Sequence, residues 1–155
     1  MPRRILTLLW VVFAMVGVAQ VGCEKESERR SAQKEIAKIG MTKTKIEKAM
    51  GYLEEYANKF QEYPTEEEGG LKALVQKPAY HQPEKDSLWR DFCSADELKD
   101  AWGNDLRYKL DEVQSGNTTK KVPRMWSVGP NGLDENGEGD DIKNHKWGQE
   151  TSQAP

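Results

Sequence analysis

A small α+β domain, one long amphipathic helix packed on a small antiparallel sheet with a Gly/Asp-rich C-terminal loop, is predicted by three features of the 155-residue sequence. Apolar residues recur at steps of three and four from Ile46 to Phe60. Strict alternation of apolar and polar residues follows in Leu106–Leu110. After Gly129 the chain turns rich in Gly, Asp, Asn and Glu, which favours an irregular loop. The length accommodates one domain with a modest core and not two.

The elements divide as 1–22, a signal peptide or membrane anchor; 23–31, a charged linker; 32–148, the globular domain; and 149–155, a disordered tail. Arg3 and Arg4 precede an apolar run from Ile5 to Val18, broken only by Thr7. A basic start, an apolar stretch of roughly 7–15 residues and a small residue before a cut make a secretory signal. Cys23 stands directly after Gly22, which resembles a bacterial lipoprotein signal in which that Cys carries lipid. Two alternatives remain: an uncleaved anchor, since Ile5–Gly22 approaches the roughly 18–20 residues a bilayer requires, and an ordinary cleaved signal. All three place the bulk of the chain outside the cytoplasm, facing the periplasm and tethered or released.

Residues 24–31 are charged and read as a linker or a frayed helix start. Ile36 and Ile39 open the long helix, whose stripe runs through Ile46, Met50 with Ala49, Leu53, Ala57 with Tyr56, and Phe60. Gly40 predicts a kink or break, with Thr42 as an N-cap. Pro64 ends the helix, because it drives Tyr63 to an extended conformation. Thr65-Glu66-Glu67-Glu68 then caps a short second helix with Leu71, Leu74 and Val75 on its apolar side, and Pro78 stops it. Residues 79–100 read as an irregular surface loop. Leu106–Leu110 and Val122–Val128 form a hairpin with a loose loop around Ser115-Gly116-Asn117.

Charge excludes one function class. The chain holds 23 basic and 26 acidic residues, a net −3, with no basic stripe beyond its first residues. Nucleic-acid binding needs a concentrated positive surface. An enzyme is not predicted either, because no nucleophile–base pair or paired carboxylates can be placed in a pocket. Cys93 has no His close to it in sequence, and reads as a buried thiol or an intermolecular partner if Cys23 is lipidated. His81 and His145 lack a Cys or second His at zinc spacing.

Three segments carry more than fold. They are Tyr56-Ala57-Asn58-Lys59-Phe60 leading into Tyr63-Pro64-Thr65 and Gly70–Val75; Asp100-Ala101-Trp102-Gly103-Asn104 with Tyr108; and Ser127-Val128-Gly129-Pro130-Asn131-Gly132, continuing to Gly137–Ile142. In this order and spacing they resemble the C-terminal domain of the major pseudopilin of type II secretion systems, over roughly Ile46 to Trp147. The resemblance implies a structural role in protein secretion, with other pseudopilins or secretion proteins and the membrane as partners. Physically, Tyr63-Pro64 turns the chain off the helix, and Trp102-Gly103-Asn104 combines an apolar anchor with a tight turn.

The third segment also holds chemistry. Asn131, Asp134, Asn136, Glu138, Asp140 and Asp141 crowd hard oxygen donors into a Gly-rich loop, and calcium takes six to eight such ligands. The resemblance implies a calcium site there, with Asn131, Asp134, Asp140 and Asp141 as its residues. Asn131 stands where the family pattern has Asp, so it brings an oxygen without a charge. A solvated acidic loop without an ion is the plain alternative. An EF-hand reading from Asp134 fails at its last ligand, where His145 replaces Glu.

The N-terminus departs from the family. Assembling pseudopilins carry a short basic leader, a prepilin-peptidase junction and a Glu early in the apolar helix, whereas Ile5–Gly22 has no acidic residue. Two classes therefore follow: a pseudopilus subunit or accessory, or a lipoprotein using the same domain as a stand-alone binding or scaffolding module. Gly69-Gly70 is one residue longer than the family after Tyr-Pro-Thr, and Ala101 stands where Pro is usual.

Overall fold

A computed structural model describes residues 3–78 and 87–144, with residues 3–24 described by backbone alone. Its contacts form two compact units, Met1–Ala37 and Lys38–Pro155. The first is helical throughout its described length. The second contains the globular domain.

The helix α1 runs Arg3–Phe60 without interruption. Residues 23–31, read from sequence as a linker or a frayed helix start, are helical and continuous with the rest of α1, with an Arg30–Glu26 pair of 2.7 Å one turn apart. Gly40 causes no break either: it is exposed within the helix. Thr42 is fully buried mid-helix, and its hydroxyl accepts a hydrogen bond from the Ala101 N–H at 3.1 Å instead of capping. The buried face is Thr42, Ile46, Ala49, Leu53, Tyr56 and Phe60, a strict alternation of four and three. Ile36, expected to open the stripe, is 69% exposed, and Ile39 is half-buried.

Beyond Phe60 the chain reverses at once. Gln61 adopts the left-handed conformation (φ 64) and its amide donates to Asn58 O at 2.8 Å, occupying an end carbonyl of the helix. The Thr65–Glu68 box forms, with Thr65 N–H to Glu68 Oε2 at 3.0 Å and Glu68 N–H to Thr65 Oγ1 at 3.3 Å. It closes a turn rather than an α-helix, because Gly69 and Gly70 both take positive φ. A 3-10 helix, Gly70–Leu74, follows and buries Leu71 and Leu74.

The expected irregular stretch 79–100 is described from residue 87, and His81 and Pro83 lie outside the described residues. It contains a second 3-10 helix, Ala95–Leu98, which the sequence reading did not anticipate. Phe92 precedes it and joins Tyr56 and Phe60 in an aromatic cluster, with centroids 5.4 and 6.3 Å from its ring. Each such buried ring contributes about 1.5–3 kcal/mol.

The sheet has strand order β1-β2-β3, with β1 Arg107–Ser115, β2 Thr118–Ser127 and β3 Ile142–Lys143. All pairs are antiparallel. The hairpin is longer than predicted and its turn is tight, with Ser115 paired to Thr118 across Gly116-Asn117. Gly116 has φ 60, as the first position of a primed two-residue turn requires. Tyr108 and Met125 face each other on the inner side and pack toward α1. The tip, Thr118–Lys121, is exposed on both faces and so shows no apolar alternation.

Candidate functional site

Asp100 is 3% exposed, at the centre of the link between the second and third motifs. Its Oδ1 accepts the N–H of Trp102 at 2.9 Å and of Asn104 at 2.8 Å, which folds Trp102-Gly103-Asn104 into a tight Asx turn. Its Oδ2 accepts the Ser127 hydroxyl at 2.7 Å and the Asn104 amide at 3.2 Å. Ser127, also buried, in turn accepts the Gly129 N–H at 3.1 Å. The sequence points to Trp102 and Asn104 for this turn, and the structure adds Asp100, whose signal is an Asp two residues ahead of Trp-Gly-Asn.

Gly129 begins the C-terminal loop with φ 62. A Cβ there would lie 2.5 Å from the Asp140 carbonyl oxygen, so only Gly lets the two ends of the loop close. Within the loop, Asn131 makes three hydrogen bonds. Its Oδ1 accepts the Leu133 N–H at 2.6 Å, its own N–H reaches Asp140 Oδ2 at 3.3 Å, and its amide donates to Asp140 Oδ1. Asp141 Oδ2 accepts the N–H groups of Glu135 and Gly137 at 2.9 and 2.8 Å.

Asp134 is engaged differently. Its Oδ1 accepts the Trp126 indole N–H at 2.9 Å and the Asn136 N–H at 3.1 Å, and its Oδ2 lies 3.2 Å from Arg107 Nε. The structure thus pairs Asn131 with Asp140 at the loop's closure, turns Asp141 toward the Glu135 and Gly137 amides, and ties Asp134 to the sheet. Trp126 is buried beneath the loop, and Trp89 and Trp102 pack half-buried against the core. Trp147 and His145 lie outside the described residues, as do residues 149–155.

One feature of the loop favours a hard cation. Asp141 Oδ1 is buried without a hydrogen-bond partner, while Oδ2 of the same carboxylate holds two amides. An orphaned carboxylate oxygen is the chemistry calcium satisfies. Among the described residues no group of three or more His, Cys, Asp or Glu side chains converges on one point. Amide and backbone carbonyl oxygens, which calcium accepts readily, would have to complete the shell.

A second cluster fixes the 3-10 helix Ala95–Leu98 to α1. Glu97 accepts Lys48 Nζ at 2.5 Å and the Tyr52 hydroxyl at 2.7 Å on one oxygen, and the Ser94 N–H at 2.9 Å on the other. The Lys48 ammonium, followed by the Ser94 amide, holds the Glu97 carboxyl down at about 2. Cys93, half-buried beside it, has its thiol pushed up to about 11, first by burial and then by the Glu97 charge. Burial likewise raises the Tyr108 phenol, which stays protonated and donates to Pro64 O at 2.9 Å.

Among the described residues no helix is long and apolar enough to cross a membrane. The side chains of the Ile5–Gly22 run and of Cys23 lie outside the described part, so the anchor and lipid readings concern residues beyond it.

Comparison with known proteins adds two findings. The family model for type II secretion system protein G matches residues 29–147. The crystal structure of the major pseudopilin from the type 2 secretion system of enterohaemorrhagic Escherichia coli is 30% identical, with a TM-score of 0.50 over 73% of this chain and 87% of that one. No curated protein matches.

Proposed function

The chain belongs to the type II secretion system protein G family, and from that premise we infer that it is a structural, non-enzymatic subunit of an envelope-spanning secretion pseudopilus. The observation that supports this most directly is the extent of the match: residues 29–147 include the α1 face, both 3-10 helices, the hairpin and the loop. In this reading the chain faces the periplasm and is tethered through the Ile5–Gly22 run. Its partners are other pseudopilins or secretion proteins and the membrane. Within the loop, calcium would be held by Asp141, Asp140 and the uncharged Asn131, with Asp134 setting the loop against Trp126 and Arg107. The ion's contribution is electrostatic: it neutralises crowded carboxylates and so orders the loop.

A second reading, a lipoprotein that uses the domain as a stand-alone module, is favoured by Cys23 after Gly22 and by the absence of acidic residues from Ile5–Gly22. Intact mass spectrometry of the chain from its own membranes separates the two. A chain beginning at Cys23 with acyl groups supports the module. A full-length or otherwise trimmed chain without lipid supports the subunit. Loss of exported enzymes from the medium when the gene is deleted is the expected result for a secretion component, and unchanged export overturns it.

A further inference from the structure

The hairpin has two unlike faces. On the inner one, Tyr108 and Met125 pack on the core. The outer one carries Arg107, Lys109, Asp111 and Val113 from β1, opposite Trp126, Arg124, Val122 and Lys120 from β2. Among the described residues, the C-terminal loop meets this face through Asp134, at Trp126 and Arg107. Farther out it holds four cations against two carboxylates: Asp111, shared by Arg124 at 2.6 Å and Lys109 at 3.2 Å, and Asp134 on Arg107. Lys120 and Lys109 are exposed, on a chain whose net charge is −3.

The opposite sign is concentrated at the turn after α1. From Gln61 to Gly70 there are four glutamates and no basic residue. Glu68 is bound into the box with Thr65, while Glu66 and Glu67 are exposed. The turn follows the C-terminal end of α1, whose carbonyls add negative potential. It lies beside the inner face, because Pro64 O takes the Tyr108 hydroxyl. The basic face and the acidic turn therefore sit on opposite sides of one sheet and cannot neutralise each other within a chain.

Resting on the pseudopilus reading, we propose that the outer hairpin face, through Lys109 and Lys120, docks on the Glu66–Glu67 turn of a second copy of this chain. Two different surfaces meeting head to tail form an open-ended contact, which propagates as a filament instead of closing as a symmetric dimer. Each exposed pair is weak, and the contact gains strength when copies are also held together elsewhere along the filament. Salt above physiological strength screens it.

A zero-length carbodiimide tests the contact, because it joins an amine to a carboxylate only where the two already touch. Applied to membranes carrying the full chain, it is expected to give a covalent dimer whose digest contains Lys109 or Lys120 linked to Glu66 or Glu67. Reversing one side, Lys109→Glu with Lys120→Glu, removes that dimer. So does reversing the other, Glu66→Lys with Glu67→Lys. A chain carrying all four changes restores it with donor and acceptor exchanged, which no folding defect could mimic. Dimers linked through other residues, dimers untouched by either reversal, or failure of the fourfold variant to restore them overturn the contact; if export still depends on the chain, the pseudopilus reading stands. A chain that stays monomeric without any change, and is dispensable for export, overturns both.

Discussion

At Asp100 a single carboxylate replaces what would otherwise be four unsatisfied donors, on Trp102, Asn104 and Ser127. Removing a buried acceptor leaves its donors to bear their own desolvation, about 1–3 kcal/mol for each that water cannot reach. Asp100→Ala is expected to lower unfolding stability by about 3–5 kcal/mol in urea titration, against about 1 kcal/mol for Thr42→Val, which loses one hydrogen bond and keeps its shape. Cys93 makes a separate prediction. With its thiol near 11, little thiolate exists at pH 8, so alkylation is slow in the native chain and accelerates sharply in denaturant. Mass spectrometry of quenched time points measures both rates. In the sequence Cys93 is legible as a thiol with no His nearby, whereas the role of Asp100 is only partly legible: Trp102 and Asn104 are local partners, but Ser127 lies 27 residues away.

The 3-10 helix Ala95–Leu98 depends on a different carboxylate, and here the prediction concerns pH. Glu97 titrates at about 2 in the folded chain, below its ordinary 4.5. A depressed folded value contributes stability above the unfolded pKa, and that contribution is lost as pH falls toward the folded one. Glu97→Gln is therefore expected to destabilise the chain by a constant amount down to about pH 4.5 and by progressively less toward pH 2, read as the gap between two urea midpoints. The sequence signals this element only through the capping-box spacing of Ser94 and Glu97, since four residues are too few to show an apolar period. Elements with a strong period were legible: the α1 face from Ile46 to Phe60 and the start of β1. Elements whose form depends on partners elsewhere were not. The two-residue β3 exists only because β2 offers Ser127 and Trp126 to pair with, and Thr42 looks like a cap until Ala101 arrives. The outer half of the hairpin showed no alternation because both of its faces meet water.

For the molecule as a whole, the loop and the sheet are joined by Asp134 to Arg107 and Trp126, and by Ser127 to Gly129. An ion that binds the folded loop and not the unfolded chain would stabilise everything fastened to it, by about 2.7 kcal/mol at a hundredfold excess over Kd. Calcium is expected to raise Tm and EGTA to reverse the rise, while Asp141→Asn abolishes the response; magnesium, which holds its water more tightly, has a smaller effect. Calorimetry with and without chelator measures it. The same fastening bears on synthesis. Ribosomes deliver α1 first, at about 5–20 residues per second, and beyond Leu71, Ala73 and Leu74 the core that shares its face from Thr42 to Phe60 is incomplete until Phe92, Leu106, Met125 and Ile142 have followed. The nascent chain must therefore spend several seconds as a helix with a partly bare apolar seam, and a holding chaperone that recognises such a seam would see this protein early, long before its last strand is made.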